Sequence, residues 1–285
     1  MITKKLNFNA REVDNFIKSY ISHQKKTNLL TPMKYGILSG GKKIRSSIII
    51  STGKIYKLSL KKLLYISAAV ECIHSYSLIH DDLPCMDNDK FRRGKLSTHA
   101  KFGESTAVLA GNSLLTLAFE IIADEKFNLK RDIKIDLIKN LALRSGHSGV
   151  AGGQELDLKF EKKRKSLKQI LDMQRKKTGK LFEFCTLAPV IIAGKTKKEK
   201  KLMSNLGEDI GLLFQIADDF LDVTGTEKKI GKPIKKDKKK GKSTLISLMG
   251  YENAYNYANN LKRKILRNLE KHGTKANELK NIVEY

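Results

Sequence analysis

The sequence predicts an all-α protein, a single-domain bundle of helices. Its 285 residues include only 4 prolines, tight-turn dipeptides are few, and long stretches space their apolar residues as a helix does. Strands of a sandwich or of a βαβ repeat would show a different period and more turn signals. A hydrophobic fraction of 40% is ample for a large core at this length. We therefore expect residues 1–285 to form one domain.

The first half of the chain contains four predicted helices. Residues 10–30 carry apolar side chains at helical spacing and predict an opening amphipathic helix. A second helix, over 46–51, follows a glycine pair and three basic residues, an arrangement suited to a phosphate group but also common in plain loops. Residues 61–80 are too apolar for a surface helix. Residues 104–123 predict another core helix, in which Gly111 allows another helix to approach closely.

The helix over 61–80 leads into an acidic stretch, His80-Asp81-Asp82-Leu83-Pro84-Cys85-Met86-Asp87. Ionised carboxylates about 4 Å apart repel by roughly 4 kcal/mol at an effective dielectric near 20, so this cluster favours bound cations. Pro84 should end or kink the helix and return Asp87 toward Asp81. Hard divalent ions with oxygen ligands suit such a cluster, and Mg²⁺ typically shares its ligands with substrate phosphates. Arg92 and Arg93, which follow, suit bidentate phosphate binding.

The second half of the chain repeats this chemistry. Residues 173–193 predict a helix that Lys177 and Thr178 interrupt, and a kink there would turn the Thr178 carbonyl toward a cation. Next, the segment Gln215-Ile216-Ala217-Asp218-Asp219-Phe220-Leu221-Asp222 places Asp218 and Asp222 on one helical face. A single cluster of this kind is weak evidence, because a solvated acidic face explains it equally well. Two clusters, each followed by basic residues, predict a clamp on one diphosphate.

The remaining stretches predict a basic loop and closing helices. Residues 225–241 are rich in Lys, Gly and Pro, which predicts a mobile loop that closes over the diphosphate, although a solvated linker explains the composition as well. Residues 145–158 are rich in glycine but contain no GxxxxGK[ST] phosphate loop. Residues 251–284 have the ordinary periodicity of core helices.

The net charge of +26 makes nucleic acid, anionic membrane and anionic substrates the first candidate partners. The charge is dispersed and comes mostly from lysine, without zinc-finger spacing or an RNP-type aromatic run. We favour a general lysine-rich composition over a nucleic-acid partner. Three cysteines without CxxC spacing indicate a reducing compartment. No segment has the pattern of a signal peptide or a transmembrane span, so we expect a cytoplasmic protein.

Taken together, these motifs resemble the short-chain trans-prenyl diphosphate synthases, and most closely the bacterial farnesyl diphosphate synthases. The resemblance covers roughly residues 30–250, with Gly-Gly-Lys, DDxxxxD, Arg-Arg-Gly, Lys-Thr-Gly and QxxDDxxD in the same order. It implies an all-helical isoprenoid synthase fold around a central cavity, working as a homodimer. The implied reaction joins isopentenyl diphosphate to dimethylallyl and geranyl diphosphate to make farnesyl diphosphate.

The resemblance also implies a role for each site residue. Asp81, Asp82 and Asp87 would hold two Mg²⁺ ions and Asp218 a third, with Asp219 and Asp222 in support; Mn²⁺ is an alternative metal. The implied isopentenyl diphosphate site is Lys42, Arg45, His74 and Arg93. The implied allylic site is Arg92, Lys177, Thr178, Gln215, Lys232 and Lys242, of which Lys177, Thr178 and Gln215 would act in catalysis.

Product length would be set one turn or so before Asp81, where Tyr76 and Ser77 lie. An aromatic residue five positions ahead of Asp81, with the insertion Pro84-Cys85, resembles the fifteen-carbon pattern of bacterial relatives. The chain departs from the family pattern at Leu96 and Ser97 and at Lys235. Alternatives are a geranyl or a longer-chain synthase, a non-catalytic subunit of the same fold, and a terpene cyclase. Both aspartate clusters argue against the subunit, and the isopentenyl site argues against the cyclase.

Overall fold

The structure, a computed structural model, describes residues 2–161, 163–224 and 244–285. Within these ranges the regular structure is helical, apart from one short two-stranded hairpin. The all-α prediction is therefore confirmed. The elements in the first part of the chain are α1 (Ile2–Ser22), α2 (Leu30–Ile37), α3 (Ile44–Ile55), α4 (Leu60–Asp81), β1 (Phe91–Arg92), β2 (Lys95–Leu96), α5 (Thr98–Phe102) and α6 (Glu104–Ala123).

The second part continues with helices and two short non-α turns. Its elements are α7 (Arg131–Ser145), α8 (Val150–Phe160), α9 (Leu167–Gln174), a π-helical turn (Arg175–Gly179), α10 (Lys180–Ile192), α11 (Lys197–Thr224), α12 (Leu245–Met249), α13 (Tyr251–Glu270), a 3₁₀ turn (Gly273–Ala276) and α14 (Asn277–Glu284). The predicted helix over 173–193 is therefore interrupted by the π-helical turn, which contains Lys177 and Thr178. Such turns occur often at functional sites.

Contacts divide the chain into two compact units. The first unit is Met1–Ile138 with Ile191–Ala193, and the second is Lys139–Val190 with Gly194–Tyr285. The boundary between them falls inside α7, where the apolar periodicity of the sequence continues without a break. The sequence pattern therefore predicts one domain and contains no signal for this division.

Helix α4 is central to the first unit, where it contacts α1, α2, α3 and α6. Its apolar residues are almost all fully buried, which confirms that it is too apolar for a surface helix. A Cβ on Gly111 of α6 would lie 2.2 Å from His80 Nε2, so the predicted close approach at this glycine is also confirmed. By length and composition alone α6 would pass as a membrane span, but core helices of soluble proteins pass the same test and α6 packs against α4.

Helix α11 contacts α13, α9, α12 and the π-helical turn in the second unit. The stretch predicted only as glycine-rich overlaps most of α8, and α8 packs on the same turn. A Cβ on Gly153 would lie 2.1 Å from the Lys177 backbone nitrogen, which shows that a larger residue would push α8 away from the turn. Gly153 therefore allows α8 to pack closely against the π-helical turn.

The predicted opening helix, 10–30, has the wrong bounds. Helix α1 begins at Ile2 and ends at Ser22, because Leu6, Val13, Ile17 and Ile21 form one continuous buried stripe. The apolar positions over 10–30 cover only the middle and end of that stripe. Residues 104–123, by contrast, match α6 at both ends.

Candidate active site

The first aspartate cluster begins at the C-terminus of α4. Asp81 is the last residue of the helix, and the Asp87 backbone N–H donates to the Asp81 carbonyl oxygen at 2.8 Å. The Asp89 backbone N–H donates to the Asp82 carbonyl oxygen at 3.1 Å. The chain thus turns back on itself after Pro84, and the prediction that Asp87 returns to Asp81 is confirmed at the level of the backbone.

Asp82 is the buried member of this cluster, with 2% of its surface exposed. Arg92 Nε donates to both carboxylate oxygens of Asp82, at 3.0 and 3.2 Å, and the guanidinium Nη2 also donates to Oδ1. Burial raises the pKa of Asp82 although Arg92 acts in the opposite direction. Burial disfavours the charge on Arg92, but the Asp82 and Asp89 carboxylates outweigh it and raise the Arg92 pKa. Asp82 is therefore a buried carboxylate whose charge is compensated by the partly exposed Arg92 guanidinium.

Arg92 and Arg93 lie on the β1–β2 hairpin. Arg93 and Gly94 have φ angles of 53° and 75°, as the two central residues of a tight type I′ hairpin turn require. This turn directs Arg93 away from Arg92: its Nη1 donates to Ser39 Oγ at 3.2 Å and to the Gly40 carbonyl oxygen. The hairpin thus sends one guanidinium to the aspartates and the other to the Gly40-Gly41 loop.

The buried side chain of Lys43 holds the Gly40-Gly41 loop in position. It is buried, has a left-handed φ of 43°, and is the residue before α3. Its Nζ donates to the Ile37 carbonyl oxygen at 3.2 Å and pairs with Asp14 at 3.2 Å and Glu71 at 3.6 Å. Ion pairs to α1 and α4 therefore fix the backbone between Lys42, which is exposed, and Arg45, which is half-buried.

Arg45 and His74 are brought together, as the resemblance implies. Arg45 Nη1 lies 3.3 Å from His74 Nε2. Burial, followed by the positive charges of Arg45 and Arg93, lowers the His74 pKa well below 6.5. His74 is therefore neutral near pH 7, and its Nε2 accepts a hydrogen bond from the guanidinium. A neutral acceptor fixes the orientation of Arg45 without reducing the positive charge of the site.

The residues assigned to product length lie on α4 before Asp81. Tyr76 is 9% exposed, and its ring meets the His80 ring edge-on at 5.6 Å. Burial, and then the Asp81 charge, raise the Tyr76 pKa. Ser77 Oγ donates to the His74 carbonyl oxygen at 2.9 Å, so it is bonded within its own helix.

The second aspartate cluster lies near the end of α11. Asp219 is 4% exposed and Asp222 is 9% exposed, whereas Asp218 is half-buried. Gln215 Nε2 donates to Asp219 Oδ1 at 3.0 Å, and Gln174 Nε2 donates to Asp219 Oδ2 at 3.1 Å. Thr178 Oγ1 donates to Gln215 Oε1 at 2.9 Å. The structure thus brings Thr178, Gln215 and Asp219 into one hydrogen-bonded network.

Lys177 also lies in the π-helical turn, and its side chain contacts helix α8. Its Nζ donates to Asp157 Oδ2 at 2.8 Å, and the Asp157 side chain is 8% exposed. Asp157 lies on α8, one turn after Gly153. The ion pair fixes the direction of the Lys177 side chain.

Sequence reasoning missed several residues that support the site, namely Asp14, Lys43, Glu71, Asp157 and Gln174. Glu71 and Asp157 carry the signal that would have found them, because an acidic residue inside an apolar helical stretch is rarely buried without a partner. Gln174 carries no such signal, since an amide next to a basic run is ordinary.

Lys232, Lys242 and the predicted basic loop lie outside the described residues. Within the ranges 2–161, 163–224 and 244–285, no three His, Cys, Asp or Glu side chains already converge as a metal site. Within the described residues, the carboxylates of each cluster therefore do not form a complete metal site made of protein ligands alone.

Comparison with known proteins agrees with this arrangement of motifs. The sequence model of the polyprenyl synthetase family matches residues 26–285. The chain belongs to the polyprenyl synthetase family. That match spans both compact units and every motif described above.

The relatives of this chain include farnesyl and geranylgeranyl diphosphate synthases. The chain is 40% identical to the farnesyl diphosphate synthase of Escherichia coli over 264 residues, which cover 91% of this chain and 88% of that protein. It is 37% identical to a geranylgeranyl diphosphate synthase of Cyanophora paradoxa over 86% of this chain and 82% of that protein.

Solved structures of family members have the same fold. An FPP/GFPP synthase of Zymomonas mobilis superposes with a TM-score of 0.90 at 34% identity, covering 100% of this chain and 98% of that one. A geranyltransferase of Helicobacter pylori, complexed with magnesium and isoprenyl diphosphate, superposes with a TM-score of 0.85 at 31% identity, over 99% and 95% of the two chains.

Proposed function

We propose that this polyprenyl synthetase condenses isopentenyl diphosphate with dimethylallyl and then geranyl diphosphate to form farnesyl diphosphate. The observation that carries the proposal is the set of hydrogen-bonded groups around Gln215 and Thr178, together with the two aspartate clusters. Several farnesyl diphosphate synthases at 36–41% identity over most of the chain support the same activity.

The aspartates have the donor chemistry that Mg²⁺ requires. Carboxylate oxygens are its preferred protein ligands, and it typically binds through one or two carboxylates together with substrate phosphates and water. Clusters that do not converge into a closed cage fit an ion that arrives with a diphosphate. We assign two ions to Asp81, Asp82 and Asp87, and a third to Asp218 with Asp219 and Asp222 in support; Mn²⁺ would suit the same oxygens. When bound, the ions would stabilise negative charge on the departing diphosphate.

The chain's own residues would bind and orient the two substrates. Lys42, Arg45 and Arg93 would hold isopentenyl diphosphate, with neutral His74 orienting the Arg45 guanidinium. Arg92, Lys177 and the loop lysines Lys232 and Lys242 would contact the allylic diphosphate. Asp157 would keep the Lys177 side chain oriented toward the site.

The chemical step would use dipoles and no strong protein base. As the allylic carbon–oxygen bond breaks, the oxygens of Thr178 and Gln215 would face the cation with the negative ends of their dipoles. The isopentenyl double bond then attacks the cation, and the released diphosphate takes the proton that is lost. Exclusion of water would prevent capture of the cation.

The direct test is product analysis with the purified chain. The protein is incubated with isopentenyl diphosphate and each allylic primer, with Mg²⁺ or with EDTA, and the products are sized. We expect a Mg²⁺-dependent fifteen-carbon product. A folded protein that makes no condensation product in any sample would overturn the proposal, and a twenty-carbon product would instead match the geranylgeranyl relatives.

Tyr76 is our candidate for the floor of the pocket that receives the growing chain. It is buried on α4, five residues before Asp81, where a large ring would block a longer product. Tyr76→Ala should therefore lengthen the product beyond fifteen carbons, as measured by chromatography. Ser77→Ala, one position further along, removes only a hydroxyl bonded within its helix and serves as the control. If Tyr76→Ala still stopped at fifteen carbons, Tyr76 would not be the floor.

We further propose that residues 1–285 act as one catalytic domain and that the enzyme is a cytoplasmic homodimer. The family match across both compact units supports the first statement. For the dimer, Val108 and Leu109 of α6 are 37% and 52% exposed, next to the face that packs on α4, and sedimentation velocity would test it. Cysteines that form no disulfide within the described ranges fit a reducing compartment.

A further inference from the structure

A network of four side chains joins both ends of the π-helical turn to one face of α11. Gln174 directly precedes the turn and Thr178 lies within it, four residues apart. Gln215 and Asp219 are also four apart, so they share one face of α11. The bonds run from Thr178 to Gln215, from Gln215 to Asp219, and from Gln174 to Asp219, at 2.9, 3.0 and 3.1 Å.

The chemistry of a carboxylate decides which way each amide points. An ionised carboxylate only accepts hydrogen bonds, so Gln174 and Gln215 must both present their NH₂ groups to Asp219. The Gln215 carbonyl oxygen then faces Thr178 and accepts its hydroxyl hydrogen. An amide oxygen and a hydroxyl oxygen each have two lone pairs, so both oxygens retain the capacity to interact with a cation.

Gln174 completes this network from a buried position. It is 4% exposed, and its Oε1 is buried without a hydrogen-bond partner in the described part of the chain. An amide that leaves one buried acceptor unsatisfied lowers folding stability, and a leucine of similar size would avoid that loss. The contribution of Gln174 therefore lies in its NH₂ group, which occupies the second oxygen of Asp219.

We propose that Gln174 is a positioning residue for the allylic substrate, acting through Asp219 to hold Gln215 and Thr178 in their reactive orientation. The inference rests on the proposed function. Without the Gln174 donor, Asp219 Oδ2 loses this hydrogen bond, and the carboxylate is held less firmly toward Gln215. The Gln215 amide then has no fixed orientation, and the π-helical turn loses its connection to α11 at the end that precedes Lys177.

The first experiment compares Gln174→Leu with the wild type under saturating Mg²⁺. We expect kcat to fall by about tenfold to a hundredfold, below the loss that follows removal of a group in direct contact with the reacting atoms. The KM for isopentenyl diphosphate should stay within about twofold, because its site lies on other residues. The matched control is Ser204→Ala, which also removes a hydrogen bond to a buried carboxylate of the second unit, Glu183, and should keep the wild-type kcat.

A pair of variants then tests the direction of the hydrogen bond. Gln174→Glu places two carboxylates in contact and should lower kcat more than Gln174→Leu does. Combining it with Asp219→Asn restores complementarity, because the new amide donates to the new carboxylate and its carbonyl oxygen still accepts from Gln215. We expect the double variant to recover at least about tenfold in kcat over Gln174→Glu.

Binding provides a readout apart from turnover. Calorimetry with an allylic thio-diphosphate, which does not ionise, should give affinities for Gln174→Leu within about threefold of the wild type, since the variant disturbs the reacting end and not the diphosphate. A wild-type kcat in Gln174→Leu would overturn the inference while the wild type remains active. An inactive wild type would overturn the proposed function as well, and the two failures are thereby distinguished.

Discussion

The two aspartate clusters differ in how their buried carboxylates are compensated. In the first unit, Asp82 is 2% exposed and faces the Arg92 guanidinium. In the second, Asp219 is 4% exposed and faces two neutral amides. One carboxylate contacts a guanidinium, and the other accepts hydrogen bonds from two side-chain amides. Similar acidic motifs therefore give two different electrostatic environments.

This difference has an energetic consequence. Removing one partner of a buried ion pair leaves an uncompensated charge and costs about 3–5 kcal/mol. Removing one amide from a carboxylate that keeps other donors costs about 1–3 kcal/mol. The buried Asp82 and Asp219 thus also contribute to the stability of the fold, and Asp81, Asp87 and Asp218 are less buried.

The largest predicted effect is on the rate, at the accessible aspartates. Asp81→Asn and Asp218→Asn should each lower kcat by about a thousandfold, because each removes a charge from metal ligation where negative charge develops on the leaving group. Steady-state kinetics with saturating substrates measures this. Asp209→Asn is the control: it removes a buried carboxylate of α11 that pairs with Lys264 outside the cluster. Similar losses in all three variants would show that general damage to the fold, and not the clusters, sets the rate.

The second prediction compares how much the partners of the two buried carboxylates contribute to the free energy of unfolding. Arg92→Met should lower the free energy of unfolding by about 3 kcal/mol, whereas Gln174→Leu should lower it by about 1 kcal/mol. Urea unfolding of both variants measures the difference. Arg92→Met combined with Asp82→Asn should regain part of the loss, because the uncompensated charge is gone. Equal losses in Arg92→Met and Gln174→Leu would mean that charge pairing is not what distinguishes the clusters.

The smallest predicted effect concerns pH. The first unit carries a histidine whose pKa is lowered well below 6.5 by burial and by Arg45 and Arg93. Below about pH 6.5 the unfolded chain binds a proton that folded His74 does not, so stability is retained above that pH and lost as pH falls. Between pH 6.5 and 5.5, the wild type should lose about 1 kcal/mol more than His74→Gln does.

The control for pH is a histidine of the second unit. His147→Gln alters an exposed side chain and should keep the wild-type pH dependence. Urea unfolding at several pH values compares the three proteins. The same slope in His74→Gln and the wild type would contradict the neutral state assigned to His74.

Most of the fold could be predicted from the sequence, because the spacing of apolar residues reflects which side chains are buried. The core helices α4 and α6 were predicted within one or two residues, and Gly111 was assigned to the close helix approach that the structure shows. Pro84 was enough to predict the return of Asp87 to Asp81. The start of α1 was not predicted, because it depends on how the helix packs against the rest of the unit. The division into two units was not predicted either, because the spacing of apolar residues continues unchanged across the boundary in α7.

Individual site residues could be proposed from the sequence only where the residue type itself suggests a chemical role. Arg45 with His74 and Thr178 with Gln215 are pairs of this kind. The supporting residues were missed, because Lys43, Asp157 and Gln174 are defined by what they contact in three dimensions. The interruption at Lys177 and Thr178 was visible in the sequence, but its form as a π-helical turn depends on how α8 and α11 pack around it.

Titration of Mg²⁺ by calorimetry tests the account most directly. Asp82 and Asp219 are bound by protein groups, and within the described ranges no three ligands already converge. We therefore predict weak Mg²⁺ binding to the protein alone and at least about a hundredfold tighter binding with an allylic thio-diphosphate, after correction for binding of Mg²⁺ to the analogue itself. Equally tight Mg²⁺ binding with and without the analogue would show a preformed metal site and contradict the account.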